Sequence, residues 1–211
     1  FNTVRDLFIK ADDTLNFHIS KLILEGPSEK LNETENTQPA IFIVSYSIFQ
    51  LIKKDFGIDL NKASYFAGHS LGEYTALACA EVLGFSETLK LLKIRGKSMQ
   101  DSIPQGVGGM MAVLGSSIEK IENLINENKF ECYVANDNSN GQQVVSGKLK
   151  DLDLLMIELK NNNIKCMKLP VSAPFHCKLM GKATEIMQNE IQKSDFKNPI
   201  NTLISNVTNQ K

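Results

Sequence analysis

Gly68-His69-Ser70-Leu71-Gly72 places a serine between two glycines, each two positions away. That spacing suits acyl transfer when a strand runs into the turn and a helix leaves it. Both flanks meet the condition: Tyr65-Phe66-Ala67 is a short apolar run, and Glu73 to Ala80 has good helix propensity. A sharp turn at Ser70 lifts its hydroxyl above the sheet edge, and the flanking glycines let backbone come close. The helix behind it starts with unpaired N–H groups and a positive dipole end, which favour an oxyanion. The alternative is a glycine-bounded turn in which Ser70 caps the helix.

A serine nucleophile needs a base, and the chain has three histidines. His18 lies among Phe17, Ile19 and Leu22 and reads as structural or surface. His69 adjoins Ser70, and neighbours on a turn point apart. Elimination leaves His176, in Val171-Ser172-Ala173-Pro174-Phe175-His176, a segment stiffened by Pro170 and Pro174. The competing reading is a histidine that starts a helix after a proline turn. Arg95 follows Leu91 and Leu92 by four and three residues and so shares their helix face. It either snorkels outward, pairs with an acidic neighbour, or offers its two-pronged donor fork to a carboxylate in a site.

These residues need elements to position them. Residues 3–12 and 15–24 read as helices, stopped by Gly26-Pro27, and 28–38 as polar loop with short helical character. Pro39 fits the first turn of a long helix to about Lys54, apolar almost all round and so deeply packed. After the elbow, Ser86-Glu87-Thr88 opens a helix to about Asp101, and Pro104-Gln105-Gly106 with Gly108-Gly109 breaks the chain. The rhythm then changes. Met110–Leu114 reads as a strand, and Ser116-Ser117-Ile118-Glu119 as a capping box before a helix. Tyr133–Ala135 and Gln143–Val145 read as strands around a turn cluster at Asn136–Gly141. A helix through Leu149–Leu159 and a strand at Ile164–Leu169 follow. This β-α-β-β-α-β order is that of a ferredoxin-like unit. It is predicted to be inserted in a larger α/β domain that resumes with a helix at about 178–193 and a strand at 202–207. The division is 1–105 with 172–211 for the α/β core and 106–171 for the ferredoxin-like subdomain.

At 211 residues and 42% hydrophobic content the chain can bury one good core, or one domain carrying a subdomain. A net charge of −1, with both signs interspersed, suggests neither a nucleic-acid surface nor a polybasic membrane patch. No apolar run approaches the ~18 residues of a spanning helix. Cys79, Cys132, Cys166 and Cys177 form no C-x-x-C pair, which favours reduced thiols and a cytoplasmic location over a zinc site or disulfide framework. The two Asn-x-Thr matches, at Asn32 and Asn206, matter only in a secreted protein.

Taken together, Gly68-His69-Ser70-Leu71-Gly72-Glu73-Tyr74, Arg95-Gly96-Lys97-Ser98-Met99-Gln100 and Ser172-Ala173-Pro174-Phe175-His176 closely resemble the malonyl-CoA:acyl carrier protein transacylases. Thr37-Gln38-Pro39-Ala40 and Asn136-Asp137-Asn138-Ser139 through Val145-Ser146-Gly147 resemble the same family, in the same order. The resemblance implies an α/β, hydrolase-like parallel-sheet acyltransferase domain with an inserted ferredoxin-like subdomain. It implies transfer of a malonyl group from malonyl-CoA to the phosphopantetheine thiol of acyl carrier protein. Ser70 is then the nucleophile, His176 the general base and Arg95 the clamp on the malonyl carboxylate. The Leu71 N–H supplies half the oxyanion hole, Phe175 crowds a branched acyl group, and His69 and Met99 line the pocket. No cofactor, metal, nucleic acid or membrane partner is implied.

The family's first strand and Gly-Gln-Gly-Ser-Gln loop precede the first residue here, and its Gly-Pro-Gly segment follows the last, so the chain is expected to be a fragment. The family's Ser-Pro-Gly turn reads Ser139-Asn140-Gly141. A serine hydrolase or thioesterase would share Ser70 and His176 but show an acid between them and an HGGG-type loop before the serine. An inert, truncated acyltransferase is the other alternative.

Overall fold

The computed structural model describes residues 1–104, 106–171 and 173–210. Gln105 of the expected 104–106 turn, and Ser172 of the histidine segment, lie outside the described residues. The chain divides into two compact units, Phe1–Lys97 with Met187–Lys211, and Ser98–Ile186.

The first unit opens with helices α1 (Asn2–Leu15), α2 (Ile19–Glu25) and α3 (Ser28–Leu31), followed by the long α4 (Thr34–Lys54). Here α4 begins five residues before Pro39, which sits inside the helix rather than in its first turn. Side chains stabilise the early start. Thr37 Oγ1 donates to the carbonyls of Leu31 (2.7 Å) and Glu33 (3.1 Å), and Asn36 Nδ2 donates to the Lys30 carbonyl and the Glu33 carboxylate. Those bonds offset the single helix bond that Pro39, lacking an N–H, cannot make. Strand β1 (Tyr65–Phe66) leads into α5 (Gly72–Cys79), and α6 (Phe85–Gln100) follows. Ala40, Phe42 and Ile43 of α4 pack with Ala78 of α5 and with Phe85, Leu89 and Leu92 of α6. Near this unit's end, β6 (Thr202–Leu203) pairs parallel to β1 in the register Tyr65–Thr202 and Phe66–Leu203. It is shorter than the 202–207 expected.

The second unit runs β2 (Gly108–Leu114), α7 (Ile118–Glu127), β3 (Cys132–Ser139), β4 (Gln142–Lys148), α8 (Leu149–Asn161) and β5 (Lys165–Lys168). The strands form one antiparallel sheet in the order β3-β4-β2-β5, the arrangement of a ferredoxin-like unit. Met111 and Val113 of β2 alternate onto one face. There they meet Val145 of β4, Ile121 and Ile125 of α7, and Leu152, Leu155 and Leu159 of α8. Truncating one such buried leucine costs about 2–5 kcal/mol.

Local chemistry moves two expected boundaries. Ser117 rather than Ser116 caps α7, its Oγ accepting from the Lys120 N–H, so Glu119 falls one position short of a reciprocal box. Strand β3 runs through the expected turn cluster to Ser139, because Asn140-Gly141 alone closes the hairpin, with Gly141 at φ 79. The last helix, α9, covers Gly181–Gln192.

Candidate active site

The elbow is built by close approach. A Cβ on Gly68 would fall on the Gly72 carbonyl and the Glu73 nitrogen, so only glycine fits there. Gly72 meets nothing within 4 Å, and the expectation of a contact-enforced glycine therefore holds at 68 and not at 72. Ser70 takes φ 53, a conformation that costs a non-glycine residue energy and persists only where its surroundings enforce it. One enforcing contact is long-range: the Ser70 N–H donates to Asn206 Oδ1 at 3.1 Å. The strand pairing continues up to this point, since the Ile204 N–H donates to the Phe66 carbonyl at 2.9 Å.

Helix α5 starts after Leu71 with no side-chain cap, so Ser70 is not the helix cap that a plainer reading of the turn would make it. The first amides of α5 close back onto the turn: Gly72, Glu73 and Tyr74 donate to the carbonyls of His69, Ser70 and Leu71. The Leu71 N–H has no acceptor among the described residues. His69 is exposed and Ser70 half-buried. Beside the elbow lies an open cleft of about 480 Å³, with Ile41, Phe49, Phe66, Ser70, Leu71 and Cys79 among its lining residues.

Arg95 is turned inward. Its Nη2 lies 3.4 Å from Ser70 Oγ, its Nη1 donates to Gln38 Oε1, and its Cζ stands 5.7 Å from the centre of the Tyr74 ring. Gly96 makes this possible: a Cβ there would strike the Thr34 carbonyl and the Glu35 Cα, so α6 can approach the start of α4 only at a glycine. Lys93 fastens the same crossing, reaching Asn36 Oδ1 at 3.0 Å and the Glu35 carboxylate at 3.5 Å. Burial pulls the Arg95 pKa below its ordinary value, with the nearby Tyr74 acting in the opposite sense. Burial likewise raises the Tyr74 phenol, partly countered by Arg95.

His176 belongs to the second unit and is exposed, in left-handed backbone at φ 57. Its loop is held to the sheet on one side and to itself on the other. Ser146 Oγ donates to the Phe175 carbonyl, and a Cβ on Gly108 would strike the Pro174 ring. Cys177 Sγ donates to the Pro174 carbonyl at 3.0 Å. The Phe175 side chain packs with Met99, Met180 and Ala183. Met99, expected to line the pocket, is 7% exposed.

Ser70, His69, Leu71 and Arg95 thus come together in the first unit, and Met99, Phe175 and His176 lie in the second. His18 sits on the surface with its Nδ1 3.4 Å from Asp12 Oδ2. Three residues beside the serine and arginine were given no role from sequence: Gln38, Tyr74 and Asn206. Only the Thr37-Gln38-Pro39-Ala40 motif carried a signal for Gln38.

A serine at a strained strand-to-helix elbow, with a half-buried arginine against its hydroxyl, is an acyl-transfer arrangement. Comparison with known proteins agrees. The acyl transferase domain family matches residues 7–211, and the chain belongs to that family. It is 36% identical over 207 residues to a malonyl CoA-acyl carrier protein transacylase of Haemophilus influenzae, covering 97% of this chain and 66% of the relative. It is also 36% identical over 211 residues to a Bacillus subtilis protein of the same name, covering 99% of this chain and 52% of that one. The chain therefore spans less than two thirds of the length of these relatives. Among solved structures, an acyl-carrier-protein-S-malonyltransferase from Bartonella henselae superposes with a TM-score of 0.94 at 36% identity, covering 99% of this chain and 68% of that one. A malonyl-transacylase in complex with a type II PKS acyl-carrier protein gives 0.94 at 33% identity, covering 100% and 68%.

Proposed function

We propose that the protein transfers a malonyl group from malonyl-CoA to the phosphopantetheine thiol of acyl carrier protein through a malonyl-serine intermediate. The observation that carries the reading is the Arg95 guanidinium 3.4 Å from Ser70 Oγ, within reach of a group carried on that oxygen. An arginine there offers a planar donor fork to a second carboxylate on the acyl group, which malonyl has and acetyl lacks. The relatives' names point to the same substrates.

In this reading His176 takes the Ser70 proton as Oγ bonds the thioester carbonyl carbon. The tetrahedral oxyanion forms against the Leu71 N–H. The carbon–sulfur bond breaks, and CoA leaves as the thiol with the proton from His176. In the second half the carrier thiol gives its proton to His176 while its sulfur attacks the ester, and Ser70 recovers the proton as its oxygen departs. Phe175 would crowd a branched acyl group, and His69 and Met99 would line the pocket. The reading requires the His176 imidazole to reach Ser70 Oγ. We also assign residues 106–171 as the inserted subdomain and 1–105 with 172–211 as the core; all four strands of the antiparallel sheet fall between Gly108 and Lys168. A cytoplasmic location belongs to the same proposal and is supported by the four free thiols. No helix among the described residues is long and apolar enough to cross a membrane.

Incubation with malonyl-CoA followed by intact mass tests the first half-reaction. A malonyl adduct absent from Ser70→Ala is expected, and its discharge onto added holo-acyl carrier protein tests the second. Release as free malonate in place of transfer would make the protein a hydrolase. No adduct on a folded protein would overturn the reading.

A further inference from the structure

Each Nη of the Arg95 fork has a contact on another element. Nη2 is directed at Ser70 Oγ, while Nη1 is held by Gln38 Oε1. A guanidinium only donates, so the carboxamide oxygen must be the atom facing it. The aromatic face of Tyr74, 5.7 Å from Cζ, adds a second restraint on the guanidinium. Gln38 is itself fixed. It is 4% exposed, lies beside Pro39 within α4, and stands about one turn beyond Thr34 and Glu35, where Gly96 lets the two helices touch.

We infer that Gln38 is a positioning residue for carboxylate selection: it anchors one arm of Arg95 so that the rest of the fork is presented, still charged, to the acid end of an acyl group on Ser70. The inference rests on the malonyl-transfer reading and deepens it. The neutrality of the anchor matters. A glutamate at position 38 would also accept from Nη1, yet it would form an internal ion pair and compete with the substrate for the guanidinium. A glutamine restrains the arm without cancelling its charge. An unanchored arginine would have to be ordered each time substrate binds, at a cost in side-chain entropy. Burial already disfavours the charged guanidinium, and the hydrogen bond to Gln38 offsets part of that cost.

The test uses the intact protein and three variants: Gln38→Met, which keeps the volume and removes the acceptor, Gln38→Glu, which keeps the acceptor and adds charge, and Arg95→Ala. The readout is the ratio of kcat/KM for Ser70 acylation by malonyl-CoA to that by acetyl-CoA, with thermal midpoints in parallel. Wild type is expected to favour malonyl. In Gln38→Met the ratio falls by about ten- to a hundredfold, the worth of one hydrogen bond to a charged group. In Gln38→Glu the ratio falls at least as far although an acceptor remains. If one Gln38 variant fails to fold, the other still reports the ratio. A merely structural Gln38 would lower both thioesters in proportion and follow the melting temperature; that result overturns the inference. A ratio lost in Arg95→Ala but kept in both Gln38 variants overturns the role of Gln38 and leaves malonyl transfer standing. Absence of any malonyl-serine adduct in wild type overturns both.

Discussion

Arg95 Nη2 stands 3.4 Å from Ser70 Oγ, a contact that spans 25 residues and joins the middle of α6 to the turn before α5. Geometry, and not charge alone, should set its value. Arg95→Lys keeps the charge but replaces a planar fork with a point donor that cannot hold Gln38 and face the serine together. Arg95→Lys is expected to lose about ten- to a hundredfold in malonyl selectivity, on the scale of one charge-assisted hydrogen bond. Acylation kinetics with malonyl-CoA and acetyl-CoA check this. A lysine variant with undiminished preference would show that charge suffices.

The two glycines of the elbow should respond differently. A Cβ at position 68 has no room against the Gly72 carbonyl, whereas position 72 is open. Gly68→Ala is expected to cost about 1–3 kcal/mol, the range for forcing atoms into a filled space. In a protein of this size that corresponds to a fall of several degrees in Tm, about 2–4 °C for each kcal/mol. Gly72→Ala should melt close to wild type, since alanine suits a helix start better than glycine. Equal destabilisation by the two substitutions would contradict the geometry.

What could be read from the sequence was local. The strand, turn and helix around Ser70 lie within sixteen residues, Tyr65 to Ala80, and the ferredoxin-like order follows from alternating short periodic segments. The inward aim of Arg95 has no local signal, because its partners lie on other elements: Gln38 is 57 residues away and Ser70 is 25. The same holds for Asn206, 136 residues from the amide it accepts from. Pro39 is a helix-opening signal, yet α4 starts five residues before it. The side chains of Asn36 and Thr37 tie an earlier first turn instead. Helix propensity carries no record of such ties.

Asn206 offers a way to separate scaffold from electrostatics. Its Oδ1 accepts from the Ser70 N–H, in the residue that carries the strained backbone. Asn206→Ala removes the acceptor and is expected to cost about 0.5–1.5 kcal/mol of stability, with slower acylation because Ser70 is less well held. Asn206→Asp restores the acceptor but sets a negative charge beside a developing oxyanion, which it repels. The aspartate variant should therefore recover the melting temperature and remain slow. Thermal melts and the rate of malonyl adduct formation measure the two separately. Rate and stability recovering together would mean that Asn206 acts through the scaffold alone.

Cys79 gives the fold a predictable alkaline limit. The thiol sits at the C-terminal end of α5, 6% exposed, and burial pushes its pKa up to about 12, slightly relieved by Lys53. In the unfolded chain the same thiol ionises near its ordinary value, about 8.5–9. Between those values the folded protein keeps the proton and the unfolded chain releases it, so stability is full below about pH 9 and declines as pH rises toward 12. One proton sets the limiting slope, about 1.4 kcal/mol per pH unit. Cys79→Ala removes that titration. Urea unfolding of wild type and variant at several pH values above about 8 should show the wild-type advantage shrinking as pH rises. Native Cys79 should also resist alkylation near neutral pH, since the thiolate is the reactive form. Parallel stability curves for the two proteins, or rapid labelling of Cys79 in the folded state, would show that the thiol is not held neutral by burial.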